Sequence, residues 1–132
     1  MKVVVDTNVV ISGTFFGGNP RRVVEAVVDH RVGASASAAI LEEYDEVVEE
    51  VIRKGYGHFD AGGFRRFVDS LSLVSPTSEI RACRDPDDDK FIECAVDAKA
   101  LYIVSGDKDL LDLGSFAGVE IVTAAEFCER YL

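Results

Sequence analysis

Positive charge is in short supply in this chain. Fourteen Lys and Arg stand against 24 Asp and Glu, a formal net charge of −10. A surface that holds phosphates by general attraction is normally basic, so the composition argues against a broad nucleic-acid-binding face. Setting four acids aside for a site still leaves −6. Six of the basic residues fall in pairs, Arg21-Arg22, Arg53-Lys54 and Arg65-Arg66, each read as a solvated helix face. Cysteine is scarce as well. Cys83, Cys94 and Cys128 are scattered, odd in number and without CxxC spacing. That excludes a disulfide framework, argues against structural zinc and fits reduced packing thiols in a cytoplasmic protein. Long apolar runs are missing too. The N-terminal one is three valines long and then meets Asp6, which is no signal peptide, and nothing approaches the ~20 apolar residues of a membrane span. Repeats and low-complexity tracts are absent. With 48% apolar residues in 132, the expectation is one globular domain over 1–132, soluble and cytoplasmic, with no membrane partner.

What is present is an alternation of β and α patterns. Lys2-Val3-Val4-Val5 and Leu101-Tyr102-Ile103-Val104 read as buried parallel strands, Val32–Ser35 as a weak strand and Val119–Val122 as the last. A loop carrying Gly13, Gly17 and Gly18 is expected after Asp6. Asn19-Pro20 then suggests an N-cap with proline at the first helical position. Ser37 and Asp60 are plausible N-caps of the next two helices, and Gly55 and Gly57 end the first of these. Thr123-Ala124-Ala125-Glu126 is a capping box. The pattern predicts an α/β fold, a three-layer α/β/α sandwich with a mainly parallel sheet.

The two best strands each end on an acid, Asp6 and Asp107. In open α/β sheets ligands sit beyond the carboxyl ends of the strands, so these two carboxylates are expected to converge on a cation. Asp85-Pro86-Asp87-Asp88-Asp89 offers further acids. Asp85 reads as an N-cap with Pro86 behind it, and Asp87 as first-turn charge. Asp88 precedes Phe91, Ile92 and Ala95 by three, four and seven residues, which puts it on the apolar face. A carboxylate aimed inward needs a partner, so Asp88 is preferred and Asp89, at the edge of that face, is held behind it. On the acidic helix after Ser37, Glu43 and Asp45 flank the apolar stripe, and periodicity leaves both open.

Taken together these motifs resemble the PIN domain. They are a hydrophobic strand running into Asp6-Thr7-Asn8, Glu43-Tyr44 in mid-chain, Asp88 opening a helix, and Ser105-Gly106-Asp107 after a strand. Asp85-Pro86-Asp87-Asp88, Phe91-Ile92-Glu93-Cys94-Ala95 and Gly106-Asp107-Lys108-Asp109-Leu110-Leu111 resemble, more narrowly, the toxins of toxin–antitoxin systems (VapC-like ribonucleases). The resemblance covers the whole chain. It implies a Mg²⁺- or Mn²⁺-dependent endoribonuclease with the metal held by Asp6, Glu43, Asp88 and Asp107, and it favours Glu43 over Asp45. It implies an RNA substrate, cut to leave a 5′-phosphate and a 3′-hydroxyl, a small antitoxin partner and a homodimer. Ser105 stands where relatives often carry threonine. Asn8 and Ser105 suit roles behind the ligands, although Asn8 is as readily a cap of its own turn. Asp109 is an outside candidate for the site, and Asp112 reads as part of a solvated turn.

Two other Mg²⁺-binding α/β families fit worse. A haloacid-dehalogenase-type phosphatase needs a second Asp where this chain has Asn8. A receiver domain needs an acidic pair after its first strand and a lysine after a late one, where this chain has Thr7 and Asp107. The competing reading from another class is a PIN fold kept as a catalytically silent binding or scaffold module.

Overall fold

The computed structural model describes residues 1–132. In chain order the elements are β1 (Lys2–Val5), α1 (Thr7–Phe15), α2 (Gly18–Val28), β2 (Gly33–Ala36), α3 (Ala38–Lys54), α4 (Ala61–Asp69), β3 (Ser72–Leu73), α5 (Asp89–Ala98), β4 (Tyr102–Val104), α6 (Lys108–Leu113), β5 (Ser115–Phe116), β6 (Val119–Val122) and α7 (Ala124–Tyr131). The six strands form one sheet in the order β3-β2-β1-β4-β6-β5. All pairings are parallel except β5 with β6. From the central β1 the chain steps outward one way to β2 and β3, then crosses back to β4 and β6. Right-handed crossovers running in opposite directions put their helices on opposite faces of a sheet, which gives the α/β/α sandwich.

The strands were legible because they are buried on both faces. Val3, Val4, Val5, Ile103, Val104 and Val122 are all at most 1% exposed. They anchor a core of 29 buried residues that also takes in Tyr44, Phe67, Phe91 and Phe127. Helix ends follow their local chemistry. The Ser37 hydroxyl accepts from the Ile40 N–H, the Asp60 carboxylate from Gly63, and the Thr123 hydroxyl from Glu126. Gly55 closes α3 in the left-handed conformation at φ 74°.

Two expectations need correction. Residues 7–15 are not a loop but helix α1, buried at Thr7, Val9, Val10, Ile11, Gly13, Thr14 and Phe15. A helix enclosed on most sides has no polar stripe, so its 3.6-residue period disappears from the sequence. Gly13 lies within it because α2 crosses there. A Cβ at this position would stand 2.8 Å from the Pro20 carbonyl oxygen and from Val24 Cγ2. Helix α2, in turn, is capped by Gly17 and not by Asn19. Pro20 is its third residue, where an N–H still lacks an intrahelical acceptor.

Candidate metal centre

β1 and β4 lie side by side, in register from Val3↔Tyr102 to Val5↔Val104. The chain leaves β1 towards β2 and β4 towards β6, so the sheet's switch point lies between them, where a crevice opens beyond the strand ends. Asp6 follows β1 directly, and its N–H donates to the Val104 carbonyl at 2.9 Å, extending the ladder by one residue. Asp107 sits three residues past β4. The buried Ser105 hydroxyl connects the two acids: it donates to Asp6 Oδ2 at 2.7 Å and accepts from the Asp107 N–H at 2.9 Å.

Asp88 arrives by another route. Asp85 accepts from the Asp87 N–H at 3.0 Å and caps a single 3₁₀ turn, Pro86–Asp88, ahead of α5. The turn leaves Asp88 half-buried on the crevice wall, whereas Asp89 is 7% exposed and serves a different purpose. Its Oδ1 accepts from the N–H groups of Ala82 at 3.1 Å and Cys83 at 2.8 Å, pinning the preceding loop. The inward-facing residue of the pair is therefore Asp89, the reverse of the periodicity argument. A 3₁₀ turn advances about 120° per residue and not 100°, so extrapolating the helix face back across Asp89 assigns the wrong side.

Asp6, Glu43, Asp88 and Asp107 line one cleft of about 260 Å³, together with Asn8, Asp85 and Asp109. One carboxylate oxygen from each of Asp88, Asp107 and Asp109 lies within 4.8 Å of the others. Glu43 stands apart from that trio and is held on both oxygens. The Thr7 hydroxyl donates to Oε2, and the Lys90 ammonium lies 2.5 Å from Oε1. Asp45 is exposed and lines none of the cleft. Asn8 is exposed on the cleft wall. Arg84 pairs with Asp109 at 3.4 Å and with Asp112 at 3.9 Å, tying the loop before α5 to α6. Sequence reasoning missed Thr7, Lys90 and the presence of Asp85 in the cleft. Lys90 had one signal: it is the single basic residue in α5.

The cleft is overloaded with negative charge. Burial, supported by the charges of Asp107 and Glu43 and opposed by the Ser105 hydroxyl, pushes the Asp6 carboxyl up to about 6. Burial, then the hydrogen bond and charge of Asp107, then Asp6 and Asp85, push Asp88 up to about 7. The lining holds no His and no Cys. Hard carboxylate oxygens in an excess that raises their own proton affinity suit a hard divalent cation.

A family model described as "PIN domain" matches residues 2–109. The chain belongs to the PIN domain family. It is also 34% identical over 119 residues to an uncharacterized protein of Methanocaldococcus jannaschii, covering 86% of this chain and 75% of that relative. No solved structure matches it significantly. PIN domains are generally metal-dependent nucleases acting on nucleic acid, and every acid of the cleft lies inside the matched span. No helix of this PIN domain is long and apolar enough to cross a membrane.

The raised carboxyls make a prediction for the metal-free protein. Asp6 and Asp88 keep their protons in the fold up to about 6 and about 7, against an ordinary value of 3.8 for the unfolded chain. Folding therefore takes up protons in that window. The stabilisation is complete below the unfolded value and is lost as pH rises through the folded ones. In EDTA the melting temperature should fall between about pH 5 and about pH 8, and roughly millimolar Mn²⁺ at the higher pH should restore it by binding the ionised fold. A melting temperature at high pH that ignores Mn²⁺ would count against the centre.

Proposed function

We propose that this PIN domain is a Mg²⁺- or Mn²⁺-dependent endoribonuclease, the toxin component of a type II toxin–antitoxin system. We propose further that it works in the cytoplasm as a homodimer restrained by a small antitoxin. The observation that carries the reading is the convergence of Asp6, Glu43, Asp88 and Asp107 on one cleft at the sheet's switch point, with Asp109 beside them. Asp88, Asp107 and Asp109 present the close oxygens, and Asp6 stands next to them, fixed by Ser105. These residues would hold the cation, which when bound supplies an activated water and offsets charge on the phosphodiester.

The chain's own residues set the rest. Ser105 keeps Asp6 and Asp107 in fixed relation across β1 and β4. Glu43, held by Thr7 on one oxygen and Lys90 on the other, has a fixed orientation in the cleft and would orient the attacking water. Attack on phosphorus in line with the P–O3′ bond breaks that bond, leaving a 5′-phosphate on one fragment and a 3′-hydroxyl on the other. The acidic cleft repels bare phosphate, so substrate affinity depends on the bound cation and on the few cations at the rim, Arg84 among them.

The test is a cleavage assay on mixed single-stranded and structured RNA, with single-stranded DNA alongside. Cleavage of RNA should require Mg²⁺ or Mn²⁺, stop with EDTA and yield 5′-phosphorylated ends. Absence of cleavage on every substrate would favour the silent scaffold. Light scattering checks the dimer, and a concentration-independent monomer would remove that part of the proposal.

A further inference from the structure

Lys90 occupies a position that the acids alone do not explain. It is the first-turn cation of α5, two residues past Asp88, and its side chain is 23% exposed. It borders a pocket shared with Ser37, Ala38, Val74 and Pro76, and what holds it is its ion pair with Glu43. Its ammonium ends 2.5 Å from Glu43 Oε1, while the Thr7 hydroxyl takes Oε2. The other cation near the cleft, Arg84, is a different case. It is 75% exposed and reaches Asp109 only at 3.4 Å, so an entering ion displaces it easily.

The acids of the cleft thus fall into two sets. Asp88, Asp107 and Asp109 converge with no buried cation among them. Glu43, in the same cleft but outside that trio, already has a positive charge on one oxygen and a hydroxyl on the other. A divalent ion at Glu43 would have to evict a paired, mostly shielded ammonium and leave it unpaired beside a like charge, which is costly. Resting on the metal-centre reading above, we propose that the site takes a single divalent cation per chain and that the Lys90 ammonium stands in for a second. Metal-assisted phosphodiester cleavage often uses two ions, one for each of the attacking and leaving oxygens. Here the protein supplies one of the two positive charges permanently.

The experiment counts ions and does not depend on cleavage. Mn²⁺ is titrated into the metal-free protein by calorimetry, and the saturated samples are examined by electron paramagnetic resonance. The unmodified chain should bind one Mn²⁺ and give the spectrum of an isolated ion. Lys90→Met removes the charge while keeping the stem's bulk. It should admit a second Mn²⁺ at Glu43, seen as a stoichiometry of two and a spin-coupled pair. Lys90→Arg keeps the charge and should stay at one ion. Two ions bound to the unmodified chain would overturn the inference while leaving the metal centre intact, as would a folded Lys90→Met that still takes one. Should Lys90→Met fail to fold, Lys90→Gln, which also removes the charge and keeps most of the length, takes its place: two ions support the inference and one overturns it. No Mn²⁺ bound by the unmodified chain would sink the metal-centre reading itself.

Discussion

Asp88→Asn should leave a folded protein whose cleavage of RNA has fallen by orders of magnitude. The substitution removes one negative charge from the convergent trio with almost no change in volume, so the loss falls on cation binding and not on packing. The fold should melt at the same temperature or higher, because Asp88 is pushed towards protonation by its burial first and then by Asp107 and the other neighbouring carboxylates. Asp87→Asn is the matched control. Asp87 is exposed on the same 3₁₀ turn, one residue away and outside the cleft, and its loss should leave cleavage nearly unchanged. The pair is measured as initial rates on one RNA at saturating Mn²⁺, with melting curves on the same samples. Full activity in Asp88→Asn would remove it from the ligand set and shift attention to Asp107 and Asp109.

The positions of Asp6 and Asp107 were readable because two rules act together. Doubly buried strands announce themselves as β-branched runs, and the crevice of a parallel sheet lies at their carboxyl ends. Val3–Val5 and Ile103–Val104 satisfy the first rule without a polar interruption. The strands that escaped notice, Ser72–Leu73 and Ser115–Phe116, have two residues each and carry no alternation to read. Helix α1 escaped for the opposite reason, since enclosure on most sides erased its polar face.

Within the site, legibility stops where long-range pairing begins. Glu43 and Asp45 are symmetric about the apolar stripe of α3, and only the folded chain shows Thr7 and Lys90 closing on Glu43. Asp85 was read as a cap, and it is one, yet the same residue also lines the cleft. One-dimensional patterns assign a residue a single face, whereas a short turn between elements lets a residue serve two.

Asp89→Ala should be among the most destabilising single changes in the chain, while acting outside the metal centre. Asp89 is almost fully buried, and its Oδ1 accepts both the Ala82 and Cys83 N–H groups. Burial works to raise its carboxyl, but the two backbone donors, with the Cys83 thiol and the charge of Arg81, together outweigh it and hold the group below its ordinary value, so the carboxylate is ionised and anchored. Alanine leaves two backbone donors without their acceptor and frees the segment that carries Arg84, Asp85 and Asp88 to the cleft. A hydrogen bond to a charged group contributes roughly 1.5–3 kcal/mol, so the expected loss is about 3 kcal/mol, or on the order of 10 °C in melting temperature for a domain of this size. Asp89→Asn keeps an oxygen that accepts both bonds and should lose less than half as much. Urea unfolding of the three proteins, at a pH where Asp89 is ionised, gives the comparison. An alanine variant as stable as the unmodified chain would show that the loop is held by something other than Asp89. The stability loss should also be separable from the chemistry: at a temperature where the asparagine variant is folded, its cleavage per folded molecule should stay within a few-fold of the unmodified rate, whereas Asp88→Asn, one residue earlier, should have lost nearly all of it.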